Sequence, residues 1–127
     1  MKKIIVNTSD GKYPIYIGNG LSNYFGNFLR MNNLFPSKVL LVIDDKLPKK
    51  MVKKIKESYK KKIFSIYLHS NEKNKSQKTV DKIINILLKN DFNRNDCLVS
   101  IGGGILGDLS AFAASIFKRG LLYINIP

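Results

Sequence analysis

The stretch Cys97-Leu98-Val99-Ser100-Ile101-Gly102-Gly103-Gly104-Ile105-Leu106-Gly107-Asp108 decides how this chain is read. Its first five residues have the length and character of a strand, and three glycines then break it. From 105 to 118 the apolar positions Ile105, Leu106, Leu109, Phe112, Ala113, Ile116 and Phe117 predict a helix. That helix is apolar nearly all round, so it is expected to be deeply buried. Residues 102–107 satisfy G-x-G-x-x-G after a strand and before a helix, the context the pattern requires. Backbone N–H groups approach phosphate oxygens only where no Cβ intervenes, and the helix N-terminus adds partial positive charge. Asp108 can cap the early helix or accept from a ligand's polar groups. The competing reading is that the glycines merely turn the chain and let the helix pack closely.

Upstream, 77–89 predicts a helix with Val80, Ile83, Ile84, Leu87 and Leu88 at i, i+3, i+4, i+7, i+8 spacing. A polar loop precedes it, then a strand at 63–68 and a helix at 47–60 with Leu47, Met51, Val52, Ile55 and Tyr59 inward. Residues 39–43 (VLLVI) form a continuous apolar run ending in Asp44-Asp45, as in strands buried on both faces of a parallel sheet. A helix at 21–31 turns Leu21, Tyr24, Phe25, Phe28 and Leu29 to one side. Before it, strands at 3–8 and 13–17 join through Ser9-Asp10-Gly11, and Pro14 puts the second at an edge. Downstream, Lys118 and Arg119 place cations at a helix C-terminus, Gly120 stops the helix, and 121–126 is a last strand. The order is a leading strand pair and then alternating helices and strands. It predicts an α/β, Rossmann-like fold with a mostly parallel sheet and helices on both faces, one domain over 1–127. A final strand ending on Ile126-Pro127 reads as a chain truncated at a domain's last element.

Composition narrows the function classes. The single cysteine, Cys97, excludes an internal disulfide, and with one histidine, His69, the chain cannot build a zinc site of three or four ligands. Cys97 reads as a core residue and His69 as a loop residue. No run approaches the ~18 apolar residues of a membrane span, and the start MKKIIVNTSD lacks a signal peptide's apolar run. A cytoplasmic protein with no membrane partner is expected. The net charge of +13 raises a basic nucleic-acid-binding module as an alternative. Arginine stands only at Arg30, Arg94 and Arg119, and no aromatic-interleaved basic repeat occurs, so the lysines read as solvated helix faces and no nucleic acid is expected.

The glycine loop departs from the usual dinucleotide fingerprint in one respect. It belongs to a late strand, and no acidic residue lies about 20 positions on to hold a ribose. Asp44 is the natural substitute, because loops at strand C-terminal ends cluster. Asp44 could equally cap the 47–60 helix. Glu72 and Lys75 lie in a polar loop after a strand, placed for ligand contacts or for helix-start electrostatics.

IGGGILGD (101–108), LSAFAASIFKRG (109–120), YINIP (123–127) and the early YPIYIGNGL (13–21) closely resemble 3-dehydroquinate synthase, in the sugar phosphate cyclase superfamily. The resemblance covers the whole chain and implies the N-terminal, NAD-binding part of such an enzyme. It implies that Gly103, Gly104, Ile105, Leu106 and Gly107 hold the NAD pyrophosphate, with Asp108 near the nicotinamide. It implies adenosine-side contacts from Glu72, Lys75 and Ser76, where Asn71 replaces the family's glycine, and from Asp44, with Lys46 where some members have an amide. Arg119 matches an arginine that contacts substrate phosphate across a dimer interface. The implied activity converts 3-deoxy-D-arabino-heptulosonate 7-phosphate to 3-dehydroquinate and phosphate with catalytic NAD, a lyase reaction of the shikimate pathway. The zinc or cobalt ligands belong to a helical C-terminal domain absent from this chain, as do most substrate contacts. No catalytic residue is identified here, the fragment alone is expected to be inactive, and the full-length enzyme is expected to be a homodimer. Another sugar phosphate cyclase or an iron-type alcohol dehydrogenase is the alternative within enzymes.

Overall fold

The apolar run at 39–43 becomes the centre of the molecule. In the computed structural model, which describes residues 1–127, β3 (Lys38–Asp44) pairs in parallel with β4 (Lys62–Leu68) and with β5 (Cys97–Ile101). β5 pairs in parallel with β6 (Leu122–Ile126), so the sheet order is β4-β3-β5-β6. Residues Val39 to Ile43 are at most 1% exposed, because both faces of β3 are covered. Strand alternation divides the core in two. Val39, Leu41, Ile43, Cys97, Val99 and Ile101 meet Phe25 and Leu29 of α1 (Phe25–Met31) and Val52 and Ile55 of α2 (Lys49–Glu57). Leu40, Val42 and Leu98 meet α3 (Gln77–Lys89) and α4 (Gly104–Ile116) on the other face.

From β3 the chain moves one way to β4, then returns past β3 to β5 and continues to β6. Right-handed crossovers therefore put α2 on one face and α3 and α4 on the other. The reversal leaves a topological switch point between the C-terminal ends of β3 and β5, where open α/β sheets bind ligands.

β1 (Lys2–Thr8) and β2 (Gly11–Ile17) form a separate antiparallel hairpin. It leans on α1 through Tyr16, whose ring lies 4.5 Å from that of Phe28 and whose hydroxyl accepts from Asn32 Nδ2 at 3.0 Å. Pro14 pairs across from Ile5 with no third strand beyond it, the edge position its missing N–H requires. At the opposite end of the sheet from the switch point, the buried Asp96 carboxylate accepts from the backbone N–H of Lys38 and Asn93, each at 3.0 Å. It thereby ties the start of β3 to the loop before β5.

Three of the four helices are shorter than their apolar periodicity predicts. Residues 21–24 make a 3-10 turn before α1, and Tyr24 is exposed rather than inward. α2 starts after Pro48, which is extended at ψ 131° and leaves Leu47 outside. On α3, Leu88 is exposed despite its spacing, since it lies past the face that meets the sheet. α4 ends at Ile116 because Lys118 adopts φ 43° and Arg119 φ 68°, so neither is a helical C-terminal cation. Nor is α4 buried all round: Phe112 is 43% and Ile116 51% exposed, on the face turned away from sheet and α3.

Candidate functional site at the sheet switch point

Gly102 shows why glycine must follow β5. Its φ of 151° lies in a region that side chains avoid, and a Cβ there would sit 2.9 Å from Leu106 Cδ2 and 3.0 Å from Asp44 Cβ. Its N–H donates to the Ile126 carbonyl at 3.0 Å, pinning the turn to the end of β6. The close approach to Asp44 also brings the loops after β3 and β5 into contact, so the two lie together as the strand-end argument requires. Asp44 does not cap α2. Its Oδ1 instead accepts from the Lys46 N–H at 2.9 Å, forming a local turn, while Oδ2 faces the glycine turn.

Gly103 and Gly104 are different from Gly102. Both are exposed, and a Cβ on either would meet nothing within 4 Å. Gly103 is the residue before α4, in extended backbone (φ −77°, ψ −171°), and no side chain caps the helix. The first-turn N–H groups of α4 therefore face open space at the positive end of a 13-residue helix, an arrangement that could hold a phosphate. Ile105 is half-buried, and Leu106 is buried in the core beneath the turn, so each would offer its backbone.

The loop after β4 closes the crevice. Asn71, extended at φ −149°, accepts from the Asn74 N–H at 2.8 Å and shapes a 3-10 turn, Glu72–Asn74. Any residue adopts that backbone conformation, so the asparagine fits. Lys75 reaches over to Asp108 with Nζ 3.3 Å from Oδ2, joining the β4 and β5 loops by an exposed ion pair. Glu72 is exposed beside it, and Ser76 precedes α3 with its hydroxyl 3.4 Å from that of Thr79. His69 is more than a loop residue: its Nδ1 lies 3.2 Å from Asp45 Oδ1 and links the loops after β3 and β4. Cys97 is a core residue, its thiol pushed well above the ordinary range by burial and then by the charge of Asp96.

Arg119 stands apart from this crevice. It follows α4, at the other end of that helix and of the sheet, about 20 Å from the glycine turn by helix rise. Within one chain Arg119 therefore lies outside the crevice.

Three side chains of the site escape sequence reading. Ser100, Tyr123 and Asn125 point from β5 and β6 to the underside of the first turn of α4. Ser100 Oγ lies 2.6 Å from Tyr123 Oη, and Tyr123 Oη donates to the Gly107 carbonyl at 3.0 Å. Burial, with the charge of Asp108, raises the Tyr123 pKa above the ordinary phenol value against the opposing bond from Ser100. A Cβ on Gly107 would come 3.3 Å from the Asn125 amide, so glycine lets α4 settle on β6. A signal was present in the polar Ser100 and Asn125 within the apolar strands CLVSI and LYINI.

A parallel sheet with a glycine turn at its switch point and an uncapped helix behind it defines a Rossmann-like α/β domain. Solved structures of the same architecture include 2-deoxy-scyllo-inosose synthase, with a TM-score of 0.86 and 19% identity over 99% of this chain and 36% of that one. They also include a butanol dehydrogenase from Thermotoga maritima, with a TM-score of 0.64 and 16% identity over 85% of this chain and 31% of that one. These likenesses concern the fold. Sequence separates the classes. Residues 65–127 match the family model described as 3-dehydroquinate synthase N-terminal. The 3-dehydroquinate synthase of Pelagibacter ubique is 52% identical over 98% of this chain and 34% of its own length. That of Clostridium tetani is 36% identical over 93% of this chain and 32% of its own. Over nearly its whole length the chain is similar to 3-dehydroquinate synthases, and it spans about a third of the length of these relatives.

Proposed function

We propose that this chain is the NAD-holding part of a 3-dehydroquinate synthase, the lyase that converts 3-deoxy-D-arabino-heptulosonate 7-phosphate to 3-dehydroquinate and phosphate. The observation that carries this reading is the convergence of three strand-end loops at the switch point, with Gly103 and Gly104 open toward the gap. The pyrophosphate lies on the segment Gly103, Gly104, Ile105, Leu106 and Gly107: Gly103 and Gly104 put no Cβ in its way, and the N–H groups of Gly104, Ile105 and Leu106 donate to it, while the Gly107 N–H is held by the Gly103 carbonyl at 3.0 Å. Asp44 Oδ2 accepts from a ribose hydroxyl, with Glu72, Lys75 and Ser76 beside the adenosine and Asp108 toward the nicotinamide. Bound there, NAD supplies a reversible hydride acceptor for a substrate alcohol. This chain's residues bind and orient the cofactor. A structural neighbour, a 2-deoxy-scyllo-inosose synthase, is complexed with carbaglucose-6-phosphate, NAD+ and Co2+, the ligand classes this reading requires.

The zinc or cobalt of such enzymes finds no donor set on these 127 residues, where no three His, Cys, Asp or Glu side chains converge. The chain alone is expected not to release phosphate from the sugar phosphate. Arg119, turned away from the crevice, binds a substrate phosphate held by a second copy in a homodimer. No helix is long and apolar enough to cross a membrane. A cytoplasmic location, with neither membrane nor nucleic acid as partner, is part of the proposal. Calorimetric titration with ADP and NADH tests the cradle. Saturable binding of both is expected, and absence of binding to the folded chain refutes the assignment.

A further inference from the structure

The polar cluster beneath α4 has more short contacts than hydroxyl protons. Ser100 Oγ lies 2.6 Å from Tyr123 Oη and 2.8 Å from the Asn125 amide, and Tyr123 Oη lies 3.0 Å from the Gly107 carbonyl oxygen. With the amide oxygen turned toward Ser100, three contacts share two protons, one on each hydroxyl. One pair of oxygens is then left facing without a hydrogen between them. Turning the amide over supplies the third proton. Asn125 Nδ2 donates to Ser100, Ser100 donates to Tyr123, and Tyr123 donates to Gly107. The carbonyl end fixes this direction, because a backbone carbonyl can only accept. Amide oxygen and nitrogen are assigned by such networks, and this one assigns nitrogen inward. The raised pKa of Tyr123 keeps its proton in place across the neutral range.

The Asn125 oxygen is left pointing outward. Asn125 is exposed, one residue before Ile126, whose carbonyl receives the Gly102 N–H. It thus flanks the glycine turn on the β6 side, whereas Asp44 flanks it on the β3 side. A dinucleotide with its adenosine toward Asp44, Glu72 and Lys75 sends its other half past Asn125. We propose that Asn125 Oδ1 accepts a hydrogen bond from that distal half, from a ribose hydroxyl or the carboxamide N–H, and that the Asn125–Ser100–Tyr123–Gly107 relay holds the amide in this orientation. The inference rests on the dinucleotide reading above.

Titration of ADP, ADP-ribose and NADH into the wild-type and Asn125→Leu chains tests it. ADP, which lacks the distal half, should bind both chains alike. Loss of one neutral hydrogen bond should weaken the longer ligands about fivefold. A loss for both ADP-ribose and NADH assigns the ribose hydroxyl, and a loss for NADH alone assigns the carboxamide. Tyr123→Phe removes the proton that orders the relay and should produce the same selective loss at smaller size. An unchanged ratio in Asn125→Leu, or an equal loss for ADP, overturns the contact. An unchanged ratio in Tyr123→Phe overturns the relay. Wild-type chain that binds no ADP overturns the dinucleotide reading and the contact with it. Circular dichroism checks folding, and Asn125→Ser replaces the leucine variant if that one unfolds.

Discussion

Replacing Gly102 and Gly103 by alanine, one at a time, should move stability in opposite directions. At Gly102 the backbone stands at φ 151°, and the new methyl would meet Leu106 Cδ2 at 2.9 Å and Asp44 Cβ at 3.0 Å. A strained backbone residue costs about 1–3 kcal/mol, and forcing a group into a packed site costs about 1–3 kcal/mol more. Gly102→Ala should therefore lose about 2–6 kcal/mol, a large part of the roughly 5–15 kcal/mol that holds a domain folded. Gly103 sits at φ −77° with nothing within 4 Å of its absent Cβ, so alanine fits without strain. Reduced freedom of the unfolded chain should then stabilise Gly103→Ala by about 0.4–1 kcal/mol. Its binding should suffer instead. A methyl between phosphate and backbone N–H forfeits a charge-assisted hydrogen bond of about 1.5–3 kcal/mol, roughly 10- to 100-fold in ADP affinity. Urea unfolding gives the first quantity and calorimetric titration the second. A Gly103→Ala chain that is destabilised like Gly102→Ala, or that binds ADP as the wild type does, would refute the reasoning that separates the glycine that shapes the turn from the one that meets the ligand.

Other groups answer to other measurements. Asp96→Ala should cost about 3 kcal/mol in urea unfolding, because the backbone N–H groups of Lys38 and Asn93 lose their acceptor and Lys38 Nζ loses a carboxylate 3.7 Å away; a cost below about 1 kcal/mol would contradict that account. Lys75→Ala removes an ion pair that is about half exposed on both sides, so unfolding should shift by less than about 0.5 kcal/mol while ADP affinity falls. Equal loss of stability and affinity would mean the pair is structural. Burial raises the Tyr59 phenol from 10.0 to about 12, and it pushes the Cys97 thiol well above its ordinary value of 9.0. The unfolded chain thus releases these protons at lower pH than the folded one, and stability complete below pH 9 should decline as pH rises beyond it. Melting curves from neutral to alkaline pH check this, and iodoacetamide should alkylate Cys97 only after unfolding.

Local pattern carried much of the architecture. The helix at 77–89 and the strand at 97–101 have the bounds their periodicity predicts, because each has one clear apolar pattern and polar flanks. α4 failed that logic. Its apolar residues encircle the helix, so no stripe marks the face that meets the sheet, and the core does not reach Phe112 and Ile116. Its end is equally hidden from local pattern. Lys118 and Arg119 look like helical cations, yet Leu121 N–H closes on the Ala114 carbonyl at 2.8 Å and bends the chain through left-handed backbone.

The glycine turn after β5 and the strand–helix alternation are written in the sequence, because φ near 151° demands glycine and apolar spacing follows local backbone geometry. So is the resemblance to 3-dehydroquinate synthases, since 101–108 and its flanks preserve a recognisable order of residues. Which strands adjoin is another matter. Parallel pairing joins residues far apart in the chain, and only the order β4-β3-β5-β6 puts the end of β3 next to the end of β5. That placement set Asp44 against Gly102, Lys75 against Asp108 and Arg119 at the far end of the sheet. The Ser100–Tyr123–Asn125 cluster also exists only in three dimensions, because its hydrogen bonds span two strands and a helix.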